Sequence, residues 1–319
     1  MDKKLISLVV PVLNEEENLE PFYNEVCAVI DRLSDDYNFE FVFTDNHSED
    51  NTFEELRKLH AKDPRVRVLR FSRNFGYQRS ILTGYLNGRG DALIQLDCDL
   101  QDPPELIPDF LRAWEQGHFV VYGIRRTVQD SSVLKFARRV FYRMINYLSD
   151  DELPLDAGDF RLVDRSIVEV LRQIDDAQPY LRGTIASMGF PQQGIPYDRR
   201  QRERGHTKFK LKNLVMLAMD GILNHSIVPL RIASFFGIII SIFTLLAIAF
   251  YTIGKAFFAL DWPAGFTTLA VLILGGISVN ALFLGIIGEY LGRIYQQVKK
   301  RPLSIVQEEL GTASRSAKS

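Results

Sequence analysis

The stretch Ala92-Leu93-Ile94-Gln95-Leu96-Asp97-Cys98-Asp99-Leu100-Gln101-Asp102-Pro103-Pro104 carries the information that decides the fold. Residues 92–96 form a short apolar run of strand length, and the chain turns abruptly to carboxylates at its end. The same grammar repeats toward the N-terminus. Residues 5–12 read as a buried strand closed by Pro11, followed by a helix over 15–33 with Leu19, Phe22, Val26, Val29, Ile30 and Leu33 on one face. Residues 39–43 and 66–71 read as further strands, with helices over 51–62 and 78–88, and 119–123 continues the series. Strands separated by helices predict an α/β fold, a mostly parallel sheet with helices on both faces.

Ligands of such sheets bind beyond the carboxyl ends of the strands. The polar residues gather there. Pro11-Val12-Leu13-Asn14-Glu15-Glu16 follows the first strand, Asp45-Asn46-His47-Ser48-Glu49-Asp50 the second, and Ser72-Arg73-Asn74-Phe75-Gly76 the third. Carboxylates two residues apart at a strand end, Asp97 and Asp99, can turn oxygens toward one hard divalent cation, Mg²⁺ or Mn²⁺, which would in turn hold a nucleotide diphosphate. The competing reading makes Asp99 a cap for a helix that Pro103 and Pro104 start. Neither a P-loop nor a G-x-G-x-x-G run is present, so the nucleotide is held in another way.

Composition narrows the class. The 319 residues are 46% hydrophobic and 24% charged, with a net charge of -2, which excludes a chain disordered over most of its length. The same balance excludes a dedicated nucleic-acid binder, which would carry a basic surplus. Cys27 and Cys98 are too few for a disulfide framework and lack metal-site spacing, so they read as reduced thiols. No secretory signal is expected, because Lys3 and Lys4 precede only a brief apolar run before Pro11.

The composition breaks near residue 230. Residues 232–250 (IASFFGIIISIFTLLAIAF) and 266–287 (FTTLAVLILGGISVNALFLGII) contain no charge, and each reaches the roughly 20 residues a bilayer-spanning helix needs. Lys208, Lys210, Lys212 and Arg231 precede the first run, and Arg293, Lys299, Lys300 and Arg301 follow the second. The positive-inside rule then predicts a multi-pass protein of the inner (plasma) membrane with both termini cytoplasmic. The expected organisation is a catalytic domain over 1–206, an interfacial amphipathic helix over 207–230 lying against membrane lipids, a two-helix hairpin over 231–290, and a cytoplasmic C-terminal segment over 291–319.

The runs VVPVLNEEENL, SEDNT, SRNFG, QLDCDLQDPPE and GDFRLVDR resemble the family-two inverting glycosyltransferases. Together with the two apolar runs and GEYLGRIY at 288–295, they are similar to the membrane-bound branch of that family that acts on polyprenyl phosphates. The resemblance implies a GT-A type fold, a nucleotide sugar donor, a polyprenyl phosphate acceptor, a divalent metal and assembly as a homo-oligomer, a tetramer in relatives. It implies that Pro11, Asn14 and Glu15 cradle the nucleotide, that Asp45 or Asn46 reads the base, and that Arg73 lies along the same pocket. Asp97 faces the ribose and diphosphate, Asp99 binds the metal, and Gln101 helps orient the sugar. Two departures stand out: relatives usually show tyrosine in place of Leu13, and Asp-Gly-Ser in place of Asn46-His47-Ser48.

Two readings of Asp159, in Gly158-Asp159-Phe160-Arg161, stand side by side: an acceptor-side carboxylate, the candidate base of relatives, or a turn aspartate bridging to Arg161. A lipid phosphate has its second pKa near 6, so it is largely dianionic at neutral pH and needs positioning more than proton removal. The basic cluster at 199–208 contains the family's acceptor-side pattern in Arg202, Gly205, Thr207 and Lys208, and arginine and lysine suit a phosphate. Arg125 and Arg126 are further candidates for the diphosphate. The expected activity is metal-dependent, inverting transfer from a nucleotide diphosphate sugar, UDP-linked by resemblance, to a polyprenyl phosphate. Its rivals are a processive polysaccharide synthase and a non-catalytic membrane scaffold in which Asn46 and His47 mark a decayed site.

Overall fold

A computed structural model of the chain describes residues 3–126, 157–176, 179–200, 235–237, 239–240, 242–243, 246 and 265–311. The expected acceptor residues Arg202, Thr207 and Lys208, the amphipathic helix over 207–230, most of the first apolar run and the tail beyond 311 lie outside them. Two compact units divide the described chain. One comprises every described residue up to 200 together with 300–311, and the other the described residues between 235 and 299.

The first unit is an eight-stranded sheet. In chain order its elements are β1 (Lys4–Val12), α1 (Leu19–Ile30), β2 (Tyr37–Asp45), α2 (Thr52–Lys62), β3 (Val66–Phe71), α3 (Tyr77–Asn87), β4 (Ala92–Gln95), α4 (Ile107–Glu115), β5 (Val120–Arg125), β6 (Ala157–Asp164), α5 (Arg165–Gln173), α6 (Leu181–Ser187), β7 (Gln192–Tyr197) and, after the second unit, β8 (Val306–Leu310). The strand order is β7-β5-β6-β4-β1-β2-β3-β8. The pairs β1–β2, β1–β4, β2–β3 and β5–β7 are parallel, and β4–β6, β5–β6 and β3–β8 are antiparallel. The mostly parallel sheet agrees with the expectation. The antiparallel β6 and β8 have no counterpart in it.

Period-two alternation builds the two layers of the core. Ile6, Leu8, Val10 and Val12 of β1, with Phe39, Phe41 and Phe43 of β2, face α1, α2 and α4. Val9, Val42 and Leu93 face the other way, against Ile81, Leu82 and Tyr85 of α3 and Ile167, Val168 and Leu171 of α5. Both faces of the central strands are buried, which is why they read as continuous apolar runs. β1 sits between β4 and β2, so the connections leave it in opposite directions. That arrangement opens a crevice at the carboxyl ends of β1 and β4.

The second unit contains α7 (Phe266–Val298), a helix of 33 residues. At about 1.5 Å per residue it runs roughly 50 Å. Leu269, Leu272, Ile273, Ile277, Leu284 and Ile287 are exposed on it. Counting the described residues alone, no helix is long and apolar enough to cross a membrane. The fold therefore does not establish the expected two-helix hairpin.

α3 packs unusually close to the sheet. A Cβ added at Gly84 would lie 2.3 Å from Val9 Cγ1. Gly84→Ala should therefore destabilise the protein by about 1–3 kcal/mol through overpacking. Thermal unfolding of the purified chain checks this, and Val9→Ala added to the variant should recover part of the loss.

Candidate active site

A cavity of about 320 Å³ opens at the carboxyl ends of β1, β2 and β4. Pro11, Val12, Leu13 and Glu15 line it from the loop after β1, and Asn46 from the loop after β2. Asn74 and Gly76 contribute from the loop after β3, Tyr77 and Ser80 from α3, and Asp97, Cys98 and Asp99 from the loop after β4. The cavity thus brings together Asp97, Asp99, Pro11, Glu15 and Asn46.

Asp97 stands at its floor. Its Oδ1 accepts from the Tyr77 hydroxyl at 2.5 Å and from Gln95 Nε2 at 2.8 Å. Burial pushes the Asp97 carboxyl up to about 7; the Tyr77 hydrogen bond opposes the rise, and the neighbouring Asp102, Asp99 and Asp159 add to it. Tyr77 as a residue is 40% exposed, yet its hydroxyl is desolvated beside Asp97 and stays protonated well above the ordinary tyrosine range. Asp99 does not cap the helix that begins after the prolines. Its Oδ1 accepts from Gln101 N at 3.1 Å, across a turn in which Leu100 takes a φ of 55°. Gln101 is not among the cavity-lining residues, and its carbonyl accepts from Arg200 N at 3.0 Å.

Asp97 and Asp99 fit a hard divalent cation by donor chemistry. Like charges crowd there, and no arginine bonds either carboxylate among the described residues. No group of three His, Cys, Asp or Glu side chains converges among the described residues.

Other aspartates at this edge are answered by cations. Asp45 is fully buried; its Oδ1 accepts from Ser48 N at 2.9 Å, and Arg70 lies 3.6 Å from its Oδ2. It therefore braces the turn and does not line the cavity, which leaves Asn46 of the expected pair. Asp102 is 2% exposed, 3.2 Å from Arg125 Nη2, and accepts from the Tyr197 hydroxyl. Burial pushes the Arg125 guanidinium down most strongly, but Asp102 and the Tyr197 hydroxyl together outweigh it and raise it. Arg125 is thus committed to a structural partner, and Arg126 pairs with exposed Asp198 at 3.5 Å, so neither is free for the diphosphate.

Asp159 reaches the same edge because β6 runs antiparallel to β4. Gln95 pairs with Arg161, which places Asp159 level with Asp97. Its two oxygens are both taken by Arg182, at 2.8 Å from Nε and 2.6 Å from Nη2. Burial would raise this carboxyl, yet the Arg182 hydrogen bonds hold it below the usual range. The partner is Arg182 on α6, not Arg161, whose Nη2 donates to Gly158 O at 2.9 Å.

The loop residues knit the rim together. Asn14 takes a φ of 56° and joins two loops, donating from N to Ser48 Oγ at 3.0 Å and accepting from Glu49 N at 2.8 Å. Asn46 Nδ2 donates to Asn74 Oδ1 at 2.9 Å, and Asn46 Oδ1 accepts from Phe75 N at 2.8 Å. Arg73 is exposed, with its guanidinium 4.1 Å from the Phe75 ring centre, and is not among the lining residues. His47 is half-buried with a φ of 66° and a ring nitrogen 3.1 Å from Phe71 O. Both cysteines are free.

Tyr77, Ser80, Gln95 and Arg182 join the site without having been singled out by sequence pattern. Tyr77 and Ser80 could have been found from α3 alone, since they lie one turn apart facing the strand ends. Arg182 carries no local signal.

Comparison with known proteins matches residues 7–172 to the glycosyl transferase family 2 model. An uncharacterized glycosyltransferase of Bacillus subtilis (strain 168) is 38% identical over 306 residues, covering 96% of this chain and 94% of that protein. The prophage bactoprenol glucosyl transferase homolog of Escherichia coli (strain K12) is 34% identical over 305 residues, covering 95% and 98%. Among solved structures, glucosyl-3-phosphoglycerate synthase from Mycobacterium tuberculosis with UDP is 20% identical, with a TM-score of 0.43 over 69% of this chain and 78% of that one. On the family match and the identities over nearly the whole chain, the chain belongs to glycosyl transferase family 2 and is a sugar-transferring enzyme.

Proposed function

We propose that this enzyme transfers a sugar from a nucleotide diphosphate sugar, UDP-linked in preference to GDP-linked, to a polyprenyl phosphate, with inversion at the anomeric carbon. One observation carries the reading: Asp97 and Asp99 share a cavity at the sheet's switch point with no arginine partner among the described residues, while Asp45, Asp102 and Asp159 beside them each have one. A site prepared this way suits a nucleotide diphosphate brought with its own cation. The relative named as a bactoprenol glucosyl transferase homolog supports a polyprenyl acceptor and makes glucose the first sugar to test.

Asp97 and Asp99 would hold Mg²⁺ or Mn²⁺, which supplies charge neutralisation at the diphosphate leaving group. The chain's own residues do the rest. Asn46, Asn74 and Gly76 form one wall, and Tyr77 and Gln95 fix the Asp97 carboxyl in one orientation. The acceptor phosphate, already anionic, attacks the anomeric carbon in line and opposite the departing diphosphate, so transfer calls for alignment more than for a base. Asp159, with both oxygens on Arg182, serves as a positioning residue that aims the guanidinium along the cavity side of β6.

The uncharged runs with basic flanks support a membrane anchor with the catalytic domain at the cytoplasmic face, where a polyprenyl phosphate headgroup is reachable. Arg202, Thr207 and Lys208 are the proposed headgroup ligands on this reading.

Purified full-length protein in detergent, given undecaprenyl phosphate, Mn²⁺ and UDP-glucose, should yield one added hexose by mass spectrometry of the lipid fraction. A ladder of masses would mean chain extension, and the absence of product from every UDP- and GDP-sugar, with no metal-dependent nucleotide binding, would sink the reading. Asp99→Asn should reduce turnover by about 100-fold or more while the protein still folds. Full turnover at the same metal concentration would remove Asp99 from the metal site.

Arg182→Gln should cost about 1–3 kcal/mol of stability, because it strands a buried carboxylate, and Asp159→Asn in the same chain should restore part of it. In Asp159→Asn alone, the acid limb of the pH–rate profile should stay near the second pKa of the lipid phosphate, about 6. Disappearance of that limb would make Asp159 the base.

A further inference from the structure

We propose that the segment 303–310, which returns from the second unit to the catalytic sheet, is a positioning strand for the nucleotide cavity. The inference rests on the reading of that cavity as the donor site. β8 pairs antiparallel with β3, the strand whose carboxyl end leads into the cavity wall. The pairing shifts register between Arg70 and Phe71, at the last residues of β3. Bulges of this kind bend a strand and re-aim the chain beyond it.

Beyond β3 the chain enters the loop Ser72-Arg73-Asn74-Phe75-Gly76, and the segment grips that loop. Ser72 N donates to Ile305 O at 2.9 Å, at the first residue of the loop. Leu303 packs into the same apolar cluster as Phe75, Phe71 and Tyr85. On α3, Thr83 is 4% exposed, and its hydroxyl shares a 2.8 Å hydrogen bond with Ser304 Oγ. The loop supplies Asn74 and Gly76 to the cavity, and α3 supplies Tyr77 and Ser80. One short segment therefore holds both elements that carry this wall. From the opposite side the loop is held by Asn46, through Asn74 Oδ1 and Phe75 N. A wall pinned at both edges has little freedom to lose when a nucleotide arrives, and preorganisation of this sort is expressed as affinity.

The outer half of the segment is a different matter. Glu308 meets Arg57 at 2.5 Å on the surface, and Glu309 lies 3.7 Å from Arg67. These contacts hold β8 to the sheet without touching the wall, and they supply the control.

Binding of UDP with Mn²⁺ to the full-length chain in detergent, measured by calorimetry, tests the proposal. Ser304→Ala should weaken UDP about three- to tenfold, the range of one lost hydrogen bond. Adding Leu303→Ala should weaken it further. Thr83→Val should match Ser304→Ala, and the Thr83→Val/Ser304→Ala double variant should be no worse than either. Glu308→Ala should stay within about twofold of the parent, as an exposed pair contributes little. Unchanged UDP affinity in Ser304→Ala, alongside a lowered melting temperature, would reduce the segment to a structural edge strand and overturn the proposal. If the parent itself binds no nucleotide with Mn²⁺, the donor-site reading fails first, and the proposal falls with it. The single hydroxyl deletion keeps the test open should the Leu303→Ala variant fail to fold.

Discussion

The working edge of this protein is shaped by the need to hold several carboxylates close together at the ends of buried strands. Asp45, Asp97, Asp99, Asp102 and Asp159 all gather there, on a sheet whose central strands are apolar on both faces. Uncompensated, such a cluster would repel itself and raise the pKa of its members. The fold answers with arginines drawn from different places: Arg70 on β3, Arg125 on β5 and Arg182 on α6. Each tie binds an outer element to the centre of the sheet. Among the described residues Asp97 and Asp99 meet only neutral donors, and burial first, with the neighbouring aspartates adding to it, pushes the Asp97 carboxyl up.

The same distribution of charge separates the two roles that one sequence motif could have carried. A carboxylate acting as a base needs a free oxygen and an elevated pKa. Asp159 has neither, since Arg182 occupies both oxygens and holds the carboxyl down. It nevertheless stands level with Asp97, because the antiparallel insertion of β6 beside β4 brings the start of one strand to the end of the other. The geometry makes Asp159 and Arg182 a closed ion pair, with no carboxylate oxygen free of the guanidinium.

Much of this was legible in the residues, and the rest was hidden for physical reasons. β1 is a long, mostly apolar run with a proline near its end, β3 alternates apolar residues with Arg67 and Arg70 before a polar turn, and their bounds were readable to within a residue or so. Asp97 and Asp99 were readable because an apolar strand that ends in acid has few other uses. β6, β7 and β8 were not. β7, with its sequence QQGIPY, is only partly buried, and β8, VQEEL, is mostly exposed at the sheet's edge, so neither carries the apolar signature of a central strand. Arg182 was invisible for a different reason: its meaning lies in a partner 23 residues away whose oxygens it meets only after β6 has paired. Arg73 shows the converse, a charged residue in a matching motif whose side chain turns outward onto Phe75.

The departure at Asn46-His47 was the strongest hint of a decayed site, and local physics argues against decay. A non-glycine residue at positive φ costs of order 1 kcal/mol or more. His47 adopts that conformation, and its ring meets the Phe71 carbonyl at 3.1 Å, a bond whose contribution of about 1 kcal/mol is comparable to the cost. The turn is therefore kept, with a side chain in place of conformational freedom, and it now ties β2 to the end of β3. Asn46 completes the same exchange. Its amide both donates and accepts, joining Asn74 and Phe75, which an aspartate could do only as an acceptor. Decay would leave polar groups unpaired around a slack loop. The wall instead gains two cross-links, so the substitutions rebuild the rim of the cavity in another chemistry and leave its purpose intact.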